Sequence, residues 1–410
     1  MEDRRQLRSA LHPHSTNHLE GENMSASTYI VGGARTAFGK FGGGFKDVAV
    51  SDLAVPTVRE ALARGGIQPE DVDHLVFGNT MHTTPDAPFG ARVVTLKSGL
   101  PTHAASLGVI RACGTGLQAI VSASDQIKLG HSHVAVAAGA EVYSAAPHII
   151  RGSRWGVKRG VPGVEDMLDW AYQDPFDGAL MGQTAEALTE HSGISKQLQD
   201  EYALQSQQRT SEAAARGHLA EEIVSFSGVE HDEFPRPQVT AEALAALRSP
   251  FRDGGAVTAG NSSGVNDGAA AVGVVSEEAV ARHGLEPWAR IVDWAAVGCE
   301  PQLMGRGPVP ATQALFARTG LGASDMDVIE INEAFAVVVL NAIHELDLDP
   351  ERVNRNGGAI SIGHPPGATG IRMTLAALGE LQRTGGRYGL LTMCLGAGQG
   401  MSVIVENMRR

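Results

Sequence analysis

Four side chains able to do chemistry stand where apolar runs give way to glycine: Cys113, Asn332, His364 and Cys394. The stretch Arg111-Ala112-Cys113-Gly114-Thr115-Gly116-Leu117 reads as a strand-to-helix turn with a thiol at its apex. Unpaired N–H groups at a helix start favour negative charge. A cysteine there is expected to have a lowered pKa and to act as a nucleophile. Gly114 and Gly116 are expected to let a substrate carbonyl approach the backbone. The competing reading is a buried cysteine in a glycine turn, where free cysteines usually lie. Asn332 opens Asn-Glu-Ala-Phe, His364 sits in Gly-His-Pro-Pro-Gly-Ala-Thr-Gly, and Cys394 opens Cys-Leu-Gly-Ala-Gly-Gln-Gly. Taken singly, His364 reads equally as a structural turn residue and Asn332 as a cap. Cys113, His364 and Asn332 alone would also describe a hydrolase, but that leaves Cys394 and its glycines unexplained.

Composition narrows the partners. With 410 residues, 43% hydrophobic and 19% charged, the chain is an ordinary globular protein. A net charge of -13 argues against nucleic acid as a partner. The three cysteines, Cys113, Cys299 and Cys394, form neither a disulfide framework nor a zinc motif. They fit a reducing, cytoplasmic setting, and Cys299 reads as a core residue. No apolar run reaches the roughly 18 residues of a membrane span. Residues 1–23 lack the apolar core of a signal peptide and read as a disordered extension. His12, His14 and His18 within it are not taken as a metal site.

The elements that must position these groups can be read from periodicity. A strand begins at Thr28 and is expected to close at Gly32-Gly33. A helix over 52–63 stops at Gly65-Gly66, and a strand covers 73–77. Helices are expected over 87–100 and 117–129, with a buried strand over 134–138. Alternation is lost from 143 to 265 and returns after Asp267. Residues 66–77 and 320–331 echo each other, each running from a helix-ending glycine through Asp-x-Asp into a strand. A looser echo pairs 134–141 with 390–398. Duplication is the economical explanation. It predicts an α/β fold with one half over 24–142, completed by about 266–286, and a second over 287–410. Residues 143–265 form an inserted loop domain over the site. Active sites in such architectures lie at strand C-termini.

Together the motifs resemble the thiolase family, in the family's order and over about residues 29–406. The stretch Thr258-Ala259-Gly260-Asn261-Ser262-Ser263-Gly264-Val265-Asn266-Asp267-Gly268-Ala269-Ala270 belongs to the same likeness. It looks most similar to the acetyl-CoA acetyltransferase and β-ketothiolase branch. The resemblance implies a five-layered αβαβα thiolase fold and an acyltransferase of fatty acid metabolism. Its reaction would be reversible Claisen condensation of acetyl-CoA with an acyl-CoA, and thiolytic cleavage of 3-oxoacyl-CoA. Cys113 would carry the acyl group, His364 would take the thiol proton, and Cys394 would move the second proton. One oxyanion hole would use His364 with a water held by Asn332. The other would use the N–H groups of Cys113 and Gly396. Ser263 and Ala259 would line the pantetheine arm of coenzyme A, Met181 and Phe335 its tunnel, and Arg236 its adenine end.

No permanently bound cofactor and no metal are expected, with coenzyme A and acyl-CoA entering as substrates. Arg151, Arg154, Lys158 and Arg159 match the family's loop that joins dimers, so a homodimer or homotetramer is expected. Leu180 stands where many biosynthetic relatives have histidine, Ala397 replaces a glycine, and the insertion is short around 225–237. A thiolase-fold acyl-CoA- or lipid-binding protein, or a partner subunit without the chemistry, is the alternative. A ketoacyl synthase would be expected to have histidine at position 332.

Overall fold

The computed structural model describes residues 27–156, 159–160 and 163–410. The extension 1–23 and Lys158 lie outside the described residues. In the first half the strands are β1 (Thr28–Arg35), β2 (His74–Gly78), β3 (Ala105–Val109), β4 (Val134–Val142) and β5 (Asn266–Ser276). In the second they are β6 (Ala289–Gly298), β7 (Met326–Ile331), β8 (Tyr388–Leu395) and β9 (Gln399–Asn407). Hydrogen bonding orders them β7-β8-β9-β6-β1-β5-β4-β2-β3. β2 runs parallel to β4, β4 antiparallel to β5, and β5 antiparallel to β1. The second half repeats this: β7 parallel to β8, β8 antiparallel to β9, β9 antiparallel to β6. The halves join where Tyr29 and Ile30 pair with Arg290 and Ala289.

The helices longer than ten residues are α1 (Val50–Gly65), α2 (Thr115–Lys128), α3 (Met181–Ser192), α4 (Lys196–Ala215), α5 (Pro308–Thr319), α6 (Ala336–Leu346) and α7 (Pro366–Thr384). The sequence echo has a direct physical counterpart. Gly66 (φ 68) and Gly320 (φ 72) end α1 and α5 in the left-handed conformation, and each is followed by a single 3-10 turn into β2 or β7.

Three apolar layers hold the body together. On one outer face Leu53, Val58 and Leu62 of α1 pack with Val136 and Val275. In the middle, Leu117 and Ile120 of α2 and Ile371 and Leu375 of α7 pack with Val272 and Leu391. On the other face Leu315 of α5 and Val339 of α6 pack with Ile329 and Ile404. This is the five-layered αβαβα order, with α2 and α7 as the shared central layer.

Small residues let that central layer close. A Cβ on Gly116 would lie 2.8 Å from the Gly367 carbonyl oxygen, one on Gly370 2.4 Å from the Leu117 nitrogen, and one on Gly139 1.9 Å from the Gly367 oxygen. The N-terminal turns of α2 and α7 therefore touch backbone to backbone.

Some elements differ from expectation. β1 continues through Gly32-Gly33 by a bulge between Val31 and Gly33, because Gly32 (φ +64) abuts the Ala61 carbonyl of α1. The helix expected over 87–100 is a 3-10 turn, Ala87–Phe89, followed by a helix over Gly90–Lys97; Pro88 and Gly90 interrupt the longer run. The inserted segment contains a hairpin, His148–Ile150 against Val164–Asp166, whose three-residue strands are too short to produce periodicity. Its Tyr202 and Leu244 pack into the second half's outer core, and its Val229 into the first's.

Candidate active site

The nucleophile candidate sits on a tight elbow between β3 and α2. Ala112 just before it has φ +43, a left-handed conformation that costs a side-chain-bearing residue about 1–2 kcal/mol. The Thr115 hydroxyl steadies the turn, accepting from the Arg111 N–H (2.8 Å) and donating to the Ala112 carbonyl (2.7 Å). Gly114 and Gly116 serve packing: a Cβ on Gly114 would lie 2.6 Å from Leu395, and Gly116 faces α7. Both glycines thus make room for the other half of the protein, a role not anticipated from the sequence. The expected lowering of the Cys113 pKa is corrected. Burial pushes the thiol up, and the N–H groups of Gly396 and Cys113 itself pull only partly back.

His364 follows Gly363, whose φ of +115 suits glycine alone. Its backbone N–H donates to Asn266 Oδ1 (3.2 Å). The Thr369 hydroxyl donates to the Pro365 carbonyl (2.9 Å), so it must accept from His364 Nδ1–H (2.7 Å). That leaves the Nε2 lone pair facing Asn332, whose Nδ2 donates to it at 3.4 Å. Burial, aided by the Arg372 charge, pushes the imidazole down to about 3. Arg372 itself is buried against Glu330 (3.0 Å). A raised thiol and a lowered imidazole lining the same cavity make the neutral pair the ground state.

Asn332 is fully buried at the end of β7, and its Oδ1 has no partner among the described residues. Cys394, at the end of β8, is fully buried too. Its thiol is held well above its ordinary pKa by burial, then by the proximity of Cys113 and of Cys299. Ala397, in the hairpin turn beyond Gly396, has φ +65, which accounts for the glycine usual there. Cys299 is half-buried rather than deep in the core.

Cys113, His364 and Gly396 open onto one cavity of about 360 Å³, together with Ser263, Met181 and Phe335. The loop carrying Ser263 is bonded to the Asn332 loop, Ser263 N–H to the Ala334 carbonyl at 3.0 Å. Ala259 and Arg236 do not line this cavity; both are exposed. Arg236 stacks over Phe234 at 4.9 Å, and a Cβ on Gly264 would lie 2.3 Å from that ring. Arg236 therefore stands next to the cavity mouth through one aromatic layer. Leu180 caps α3 and is partly exposed beside Met181. Arg151 pairs with Glu165 (2.9 Å) and stacks on Trp170 (4.5 Å).

Several residues escaped sequence reasoning. Tyr143, Trp170, Tyr172 and Met304 line the cavity, and the tyrosine rings meet edge to face at 6.1 Å. Glu141 is fully buried at the end of β4. It accepts from Asn79 Nδ2 (2.8 Å), the Met81 N–H (2.9 Å), the Thr80 N–H (3.1 Å) and hydroxyl (2.6 Å), and the Gly367 N–H (3.3 Å). Burial pushes its carboxyl up to about 7, although every partner is a donor that favours the ionised form. It ties one cavity wall to the start of α7. A charged residue inside a buried strand was the available signal. No group of three or more His, Cys, Asp or Glu placed to hold a metal occurs among the described residues, and no described helix is long and apolar enough to cross a membrane.

Comparison with known proteins fits this geometry. Residues 28–278 match the family model of the thiolase N-terminal domain, and residues 285–407 that of the thiolase C-terminal domain. The chain is 45% identical over 394 residues to beta-ketothiolase BktB of Cupriavidus necator, covering 94% of this chain and 100% of that one. It is 40% identical over 388 residues to the mitochondrial 3-ketoacyl-CoA thiolase of Homo sapiens, covering 92% and 98%. The crystal structure of human mitochondrial 3-ketoacyl-CoA thiolase in complex with CoA superposes with a TM-score of 0.92 at 41% identity, covering 93% and 98%. The Bacillus anthracis acetyl-CoA acetyltransferase gives a TM-score of 0.90 at 39% identity, covering 93% and 99%. With both halves matched end to end, this chain belongs to the thiolase family.

Proposed function

We propose that this thiolase transfers acyl groups between coenzyme A thioesters through a covalent acyl group on Cys113. The single observation that carries the reading is the shared cavity, onto which Cys113, His364 and Gly396 open. In thiolysis, His364 Nε2 takes the Cys113 proton as the sulfur attacks the 3-oxo carbonyl. The developing oxyanion is met by the Nε2–H so formed and by a water on the free Oδ1 of Asn332. The bond between C2 and C3 breaks, and the acetyl-CoA carbanion takes a proton from Cys394. The Cys394 thiolate then deprotonates incoming CoA, whose sulfur attacks the acyl-cysteine. The N–H groups of Cys113 and Gly396 hold that second oxyanion; its collapse expels Cys113 as thiolate, which takes its proton back from His364 as acyl-CoA leaves. Condensation is the same path reversed.

Ser263, Met181 and Phe335 would guide the pantetheine arm, with Ala259 and Arg236 outside the cavity toward the rest of coenzyme A. The chemistry closes on these side chains without a permanently bound cofactor. The unpaired outer edge of β3, with exposed Leu107 and Ile110, supports self-association as a homodimer, and Arg151 on the hairpin loop supports a homotetramer. Three unpaired cysteines support a cytoplasmic location. The test is Cys394→Ala: acyl transfer from acyl-CoA to Cys113 is expected to persist while condensation and thiolysis are lost. Normal turnover of 3-oxoacyl-CoA by that variant would remove Cys394 from the mechanism.

A further inference from the structure

Glu333, beside Asn332, is fully buried, and no step above uses it. Its carboxylate collects donors from three separate parts of the chain. Oε1 accepts from the Tyr202 hydroxyl (2.7 Å) and from Asn354 Nδ2 (3.1 Å). Oε2 accepts from the Ser206 hydroxyl (2.8 Å) and from the Ile360 N–H (3.0 Å). Tyr202 and Ser206 lie on α4 of the inserted segment. Ile360 lies in the short helix Ala359–Ile362, which leads directly to Gly363 and His364. Asn354 clasps the end of β7 from the other side, accepting from the Ile331 N–H (2.8 Å) and donating to the Ile331 carbonyl (2.8 Å). The fit admits nothing larger, since a Cβ on Gly358 would lie 2.5 Å from the Glu333 carboxyl carbon. A surface or merely solubilising acid has no need of such a socket. This carboxylate is the point at which the inserted segment, the Asn332 loop and the His364 loop meet.

We propose that Glu333 is a positioning residue, fixing Asn332 and His364 relative to each other with α4 as the post. The proposal rests on the acyl-transfer reading and concerns the geometry of the first oxyanion hole. The amide of Glu333→Gln would turn a donor toward donors already in place, so one side of the socket must open.

The test compares Glu333→Gln in the wild-type and Asn332→Ala backgrounds, reading kcat and the KM for CoA in thiolysis along with the melting temperature. Glu333→Gln is expected to lower kcat by about 10- to 100-fold and to change KM by less than about threefold. In the Asn332→Ala background it should cost less than about threefold more, since residues that act through one another are not additive. Tyr202→Phe and Ser206→Ala each remove one donor and leave the carboxylate in place. They are expected to lower kcat by about three- to tenfold with the same non-additivity, so the proposal can be judged even if Glu333→Gln does not fold. Folded variants with kcat within twofold of wild type would overturn it, as would losses that multiply fully onto Asn332→Ala. A wild-type protein that does not turn over 3-oxoacyl-CoA would instead overturn the reaction reading.

Discussion

The tautomer of His364 is set by one hydroxyl, so Thr369→Val tests the proton path without touching a reacting group. Thr369 is fully buried, and valine keeps its shape. The change removes the acceptor 2.7 Å from His364 Nδ1 and the donor 2.9 Å from the Pro365 carbonyl. Leaving a buried donor unpaired costs about 1–3 kcal/mol. The ring can escape that cost by moving its proton to Nε2, where it blocks the lone pair that must accept from Cys113. The productive tautomer then falls behind by about 1–3 kcal/mol, which converts to a loss of about 5- to 150-fold in the acylation step. The assay is single-turnover acylation of Cys113 by acyl-CoA, read by protein mass against time, with kcat/KM for thiolysis measured in parallel. Thr369→Ser, which keeps the oxygen, is expected to stay within a few-fold of wild type. Folded Thr369→Val acylating within twofold of wild type would refute the tautomer argument.

The raised thiol and lowered imidazole predict that alkylation of Cys113 by iodoacetamide, followed by peptide mapping, accelerates continuously as pH rises through 8 and beyond 9. Above its pKa of about 3 the imidazole stays neutral, so no change is expected near pH 6.5, and a plateau between pH 5 and 7 would mean a preformed thiolate–imidazolium pair. Gly139→Ala drives a methyl to 1.9 Å from the Gly367 oxygen, so the contact between β4 and the start of α7 must part. It is expected to cost at least about 3 kcal/mol in chemical denaturation, and a wild-type midpoint would contradict the close approach.

Much of this was legible because local signals and fold agree. Gly66 and Gly320 cap equivalent helices before equivalent strands, so duplication is written in twelve-residue stretches. Cys113, Asn332 and Cys394 sit at or just beyond strand ends, and glycines stand near three of the four reactive groups, so the motifs could be assembled from sequence; His364 instead follows the short helix Ala359–Ile362. What could not be read depends on the far half of the chain. The sign of the Cys113 shift comes from burial supplied largely by residues distant in sequence. The reason for Gly116 is α7, about 250 residues away. Arg236 and Ala259 were placed by motif order alone, and the loop path sets them outside the cavity. Glu333 was visible as a letter in Asn-Glu-Ala-Phe, but its partners on α4 follow from how the insertion folds back, which no periodicity encodes.

The central claim is that Cys113 carries the acyl group. Incubating the protein with acetyl-CoA, quenching in acid and mapping peptides by mass is expected to place one acetyl group on the peptide containing Cys113, labile to added CoA. No adduct there, or an adduct at Cys394 that CoA discharges, would contradict the account.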